Sequence, residues 1–118
     1  MQTIAVVDYG MGNLRSVSKA LERVAPQSRV LVTADADAIA SAARVVFPGQ
    51  GAMADCMRSL DGRGLRAAVI AAARSKPFLG ICIGLQMLFE HSDEGDVAGL
   101  GLFRGRVARF AADAMRSD

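Results

Sequence analysis

Two cysteines, one histidine and several glycine-rich turns hold most of the chemistry this chain can offer. Cys82 stands in Gly80-Ile81-Cys82-Ile83-Gly84, with a glycine two places before it and another two places after. The apolar run Phe78 to Ile81 precedes it as a strand, and Gly84 to His91 reads as the following helix. Gly-x-Cys-x-Gly at a strand-to-helix junction is the cysteine form of a nucleophile elbow. The turn is so sharp that the residues flanking the nucleophile at that distance must be small. In return the side chain stands clear of the sheet at a helix N-terminus. Unpaired N–H groups and the helix dipole there favour a thiolate over a thiol, whose ordinary pKa is about 8.5. A lone cysteine is more often a buried structural thiol. The two glycines reverse that reading for Cys82. Cys56 has no such context and is read as structural.

A thiolate that attacks an acyl carbon needs hydrogen-bond donors for the oxyanion. The N–H of Ile83, the residue after the nucleophile, is one. The second must come from another loop, and Pro48-Gly49-Gln50-Gly51 suits it, because glycines let a peptide plane present its N–H. One such donor is worth about 2.7–4 kcal/mol of transition-state stabilisation.

The elements that must position these groups alternate in type. Thr3 to Val7, Arg29 to Thr33, Arg44 to Phe47, Phe78 to Ile81 and Gly105 to Phe110 read as strands. Leu14, Val17, Leu21 and Val24 recur at helical spacing and Pro26 ends that helix. Asp35 to Ala43 is a short helix or an irregular link, and Ala52 to Leu60 and Leu65 to Ser75 are helices parted by a break at Asp61 to Gly64. Ser92 to Gly101 reads as a loop. Strand–helix alternation implies an α/β fold with a mostly parallel sheet covered on both faces. Ligands of such sheets bind beyond the C-terminal strand ends. Three loops share that edge here: Asp8 to Asn13, Pro48 to Gly51 and Gly80 to Gly84.

Composition narrows the function classes. The 118 residues are 52% hydrophobic and 22% charged, with a net charge of +2. That suits one small globular domain and gives no reason to expect nucleic acid or a membrane surface as partner. No run approaches the roughly 20 apolar residues of a membrane span, and no secretory leader is evident at the start. Two cysteines do not make a disulfide framework, so a cytoplasmic location with reduced thiols is expected.

Gly80-Ile81-Cys82-Ile83-Gly84-Leu85-Gln86 resembles the nucleophile motif of class I, triad-type glutamine amidotransferases. Phe47-Pro48-Gly49-Gln50-Gly51-Ala52 resembles their oxyanion loop. Val7-Asp8-Tyr9-Gly10-Met11-Gly12-Asn13-Leu14 and Gly99-Leu100-Gly101-Leu102-Phe103-Arg104-Gly105-Arg106-Val107 narrow the resemblance. They are similar to the family of glutaminase subunits of imidazole glycerol phosphate synthase, an assembly of histidine biosynthesis. The resemblance implies a three-layer, flavodoxin-like fold and a reaction. Cys82 would attack the side-chain amide of glutamine and release ammonia, and water would free glutamate from the thioester. Gly49, Gln50 and Ile83 would form the oxyanion hole, and Gly51 and Gln86 would hold glutamine. Ammonia would pass to a (β/α)₈-barrel cyclase that makes imidazole glycerol phosphate and an aminoimidazole carboxamide ribotide. No metal or organic cofactor is implied. Asn13 is both a candidate interface residue toward the cyclase and a candidate N-cap for the helix after it.

The family uses a histidine base and an acidic residue from late in a longer domain. His91 is the single histidine here. Nine residues along a helix it would stand roughly 13 Å from Cys82 and on nearly the opposite side, far beyond the 2.6–3.2 Å that proton transfer requires. The expectation is therefore a single domain over residues 1–118, cut short before the His/Glu region, poorly active alone and prone to self-association through an uncovered edge. A non-catalytic fragment that docks on the cyclase and a DJ-1-like cysteine hydrolase or thiol sensor are the competing readings. Gly10-Met11-Gly12 as a phosphate loop is weaker, since Arg15 replaces the third glycine of the fingerprint.

Overall fold

The computed structural model describes residues 1–108. Four parallel strands form the main sheet: β1 (Thr3–Val7), β2 (Arg29–Thr33), β3 (Arg44–Gly49) and β4 (Phe78–Cys82). Their order is β2-β1-β3-β4, the flavodoxin-like order. Reversal of direction between β1's two neighbours opens a crevice between the C-terminal ends of β1 and β3.

The helices divide between the faces as the side-chain alternation dictates. Ile4, Val6 and Val46 point to one face, where Leu14, Val17 and Leu21 of α1 (Leu14–Val24) cover them. Ala5, Val7, Val45 and Phe47 point to the other, against α2 (Ala36–Ser41), α3 (Met53–Gly62) and α4 (Arg66–Ser75). Ile39, Cys56, Leu60 and Val69 fill that second layer and are fully buried. Three layers around a sheet buried on both faces are what the apolar runs of β1 and β3 require. α1 starts at Asn13, whose side-chain oxygen accepts a hydrogen bond from the N–H of Ser16 at 3.3 Å. The N-cap expected of Asn13 is thus present.

One expected element is different. The helix predicted over Gly84 to His91 is a single turn, α5 (Ile83–Gln86), and the chain then enters a strand, β5 (Phe89–Ser92). The cause is competition for carbonyls. The Met87 carbonyl accepts the N–H of Leu100 at 2.7 Å, and that of Leu88 accepts those of Leu102 and Phe103 at 2.8 and 3.0 Å. A continuing helix would need the same oxygens for N–H groups four residues on. β5 instead pairs antiparallel with β6 (Val97–Ala98) and parallel with β7 (Phe103–Val107), a separate three-stranded sheet. The segment read as a loop from Ser92 to Gly101 therefore contains a strand. β7 starts two residues before the predicted Gly105, and Arg109 and Phe110 of that prediction lie outside the described residues. Among the described residues no helix is long and apolar enough to cross a membrane.

Candidate active site

Cys82 ends β4 and precedes α5 with φ 55° and ψ −123°. A positive φ is rare and costly for a residue with a Cβ. This is the backbone strain expected of a nucleophile elbow, and the side chain is exposed. The flanking glycines answer to contact. A Cβ on Gly80 would lie 2.8 Å from Cα of Leu85, and a Cβ on Gly84 would overlap the Phe47 carbonyl. Close approach of α5 to β3 is thus what forbids a side chain at Gly84. Since α5 is one turn long, it supplies little of the summed dipole that a long helix would bring to the sulfur.

The sheet brings the second loop alongside. Gly49 and Cys82 are partners in the β3–β4 ladder, so strand spacing, about 4.8 Å, separates their backbones. Gly49 admits no side chain either: a Cβ would lie 2.7 Å from the Gly84 nitrogen and 2.8 Å from the Tyr9 hydroxyl. Gly12, at φ 104°, packs its Cα side against Pro48 and so fixes the first loop onto the second.

The three loops enclose a cleft of about 400 Å³ lined by Asn13, Ser16 and Val17, by Pro48, Gly49, Gln50 and Gly51, and by Ile81, Cys82 and Ile83. Cys82, Gly49, Gln50, Gly51, Ile83 and Asn13 therefore meet at one place. Gln86 is half-buried on α5 and is absent from that lining among the described residues. His91 is absent too. Its Nε2 lies 2.8 Å from Asp96 Oδ1, and its Nδ1 lies 3.6 Å from Asp93 Oδ1, all on the small sheet and its turn. Rejection of His91 as the base stands, but on this placement and not on helical distance. The lining holds no carboxylate, imidazole or amine among the described residues, so it can carry a nucleophile and an oxyanion but offers no general base. Among the described residues no cluster of histidine, cysteine and carboxylate side chains is arranged to hold a metal.

Two residues behind the loop were not foreseen. The Tyr9 hydroxyl donates to the Pro48 carbonyl at 2.7 Å, and the Cys56 thiol donates to the Gln50 carbonyl at 3.4 Å. Burial pushes the Tyr9 phenol well above its ordinary pKa, with the neighbouring Cys56 adding to the effect, so it remains a donor. Their acceptors are backbone atoms, and no local sequence signal marks such partners.

The family model for class-I glutamine amidotransferases matches residues 5–106. The chain belongs to that family. Among its relatives are imidazole glycerol phosphate synthase subunits HisH. That of Dechloromonas aromatica is 71% identical over 114 residues, 97% of this chain and 53% of the relative. That of Thiobacillus denitrificans is 68% identical over 98% of this chain and 50% of the relative. The Nitrosomonas europaea subunit is 62% identical over the whole chain and 56% of the relative. The chain thus spans about half the length of the curated relatives it matches. Among solved structures, a Listeria monocytogenes EGD-e protein described as a peptidase E is 14% identical with a TM-score of 0.65, covering 86% of this chain and 63% of that one. That likeness concerns the fold alone.

Proposed function

We propose that this chain carries the nucleophile and oxyanion elements of a glutaminase subunit of imidazole glycerol phosphate synthase. The observation that supports it is the strained Cys82 elbow placed on the same ladder rung as the Pro48–Gly51 loop. In this reading the Cys82 thiolate adds to the side-chain amide carbon of glutamine. The carbonyl oxygen takes the negative charge and is met by N–H groups of Ile83 and of the Gly49–Gln50 region. Collapse expels ammonia, with a proton supplied to the leaving nitrogen, and leaves a glutamyl thioester that water hydrolyses to glutamate. Gly51, which lines the cleft, holds the substrate. His91 is held by Asp96 away from the cleft, so in this reading the proton acceptor is not among the described residues, and the 118-residue chain alone hydrolyses little glutamine.

The name "synthase subunit" borne by the relatives supports assembly with a further subunit; in this reading that partner is a (β/α)₈-barrel cyclase that consumes the ammonia, in a cytoplasmic heterodimer with combined hydrolase and lyase activity. Asn13 lines the cleft as well as capping α1, which suits a place at that interface. Steady-state glutamine turnover by the 118-residue chain, with cyclase and its nucleotide substrate added, tests the reading. Turnover is expected to be at least a hundredfold below that of a full-length relative, while a glutamine-analogue electrophile labels Cys82 and glutamine protects it. Near-normal turnover sinks the claim of an absent base. Labelling indifferent to glutamine sinks the substrate.

A further inference from the structure

The Pro48–Gly51 loop is gripped from the core side at two carbonyls. Tyr9, fully buried in the loop two residues past β1, reaches Pro48, and Cys56, fully buried on α3, reaches Gln50. The Tyr9 ring is itself immobilised. It stacks on Phe47 with centroids 5.2 Å apart, its hydroxyl touches Met87 Sδ at 3.5 Å, and Ser59 Oγ donates to its carbonyl at 2.5 Å. Both grips therefore start from fixed points in the core.

Peptide geometry turns these grips into orientation. In a trans peptide the C=O and the following N–H point in opposite directions. Holding the Pro48 carbonyl toward the core fixes the direction of the Gly49 N–H, and holding the Gln50 carbonyl fixes that of the Gly51 N–H. The Gly49–Gln50 peptide lies between them, held at its two ends by those planes. We propose that Tyr9 and Cys56 are positioning residues for the oxyanion loop, which fix its peptide planes through the Pro48 and Gln50 carbonyls. Neither touches the cleft. Each acts through the backbone it holds, and the assignment rests on reading this loop as the oxyanion loop of a glutaminase.

The chain itself can be tested as Tyr9→Phe, Cys56→Ala and Cys56→Ser, with Cys82→Ser as the blank. Amide hydrogen exchange at Gly49, Gln50 and Gly51 reads the loop without regard to substrate. Alkylation of Cys82 by 6-diazo-5-oxo-L-norleucine, in which the sulfur–carbon bond forms as the protonated diazo carbon loses N₂, reads its use. Iodoacetamide reads the bare thiol. Tyr9→Phe and Cys56→Ala are expected to speed exchange at the three loop amides at least tenfold, with α4 amides unchanged within twofold. They are also expected to slow the glutamine analogue at least tenfold relative to iodoacetamide, and Cys56→Ser, which restores a donor, should recover both. Unchanged loop exchange in both variants overturns the proposal. So does faster loop exchange with an unchanged labelling ratio, or exchange that rises equally in α4, which would mean general destabilisation. If loop exchange rises as expected but the wild-type chain is not labelled in a glutamine-protected way, the bracing stands and the glutaminase reading falls.

Discussion

At Cys82 the backbone holds a conformation that suits glycine better than cysteine. A positive φ of this kind costs about 1–3 kcal/mol for a residue with a side chain. The thiol is exposed, so little packing would be lost with it. Cys82→Gly should therefore raise the unfolding free energy by about 1 kcal/mol while abolishing alkylation, as read by urea denaturation and intact mass. A lowered midpoint would mean that the strain is not stored where φ places it. This residue was legible in the sequence because its requirement is written in residue type. Gly80 admits no side chain against Leu85 and Gly84 admits none against Phe47, and only glycine meets that demand. Tyr9 and Cys56 were illegible for the opposite reason. Their partners are the carbonyls of Pro48 and Gln50, and every residue type but none in particular supplies a carbonyl. Burial alone was predictable for Cys56, and the direction of its thiol was not.

At the level of elements, the periodicity of α1 and the apolar runs of β1 to β4 located those elements to within two residues. Each is fixed by a face that its own sequence carries. The stretch after Gln86 failed because its hydrogen-bond partners lie at Gly99 to Phe103, and a local pattern cannot price a distant competitor. Lys76 shows the same long reach. From the α4–β4 junction its Nζ donates to the carbonyls of Ile39, Ala40 and Ala42 at 3.2, 2.6 and 2.7 Å. It thereby satisfies the orphan acceptors at the C-terminus of α2 and complements that helix's negative end. α2 has only six residues and cannot persist on propensity. Lys76→Met should cost about 1–2 kcal/mol, a range set by charged hydrogen bonds, and should speed amide exchange in α2 before that in α3 or α4. Stability unchanged within about 0.3 kcal/mol would remove this role.

For the whole molecule, the two faces of the sheet are unequally covered among the described residues. Three helices stand on one and α1 alone on the other. β4 is the last strand in the order, and Leu79, in register with Val46 on the α1 face, is 54% exposed. Leu85 and Phe103 are exposed near the same edge. Apolar surface next to unpaired strand edges favours association between copies. Light scattering of the 118-residue chain should report a species heavier than 12.4 kDa, and Leu79→Lys should shift it toward that mass. A monodisperse 12.4 kDa wild-type chain at high concentration would contradict this. The layered fold and an uncovered edge and face were readable in the sequence; which face is the thinner one was not, because it depends on which side each connection crosses.

The shared rung of Gly49 and Cys82 has a consequence for how such a site can change over time. Rung spacing belongs to the peptide group and is indifferent to side chains. Substitutions can reshape the cleft's other walls, and insertions can lengthen its loops, without moving the sulfur relative to the oxyanion loop. Tolerance and variability are thereby separated: the dimension that admits no error is set by a lattice constant, and substrate choice is left to the parts that are free to drift.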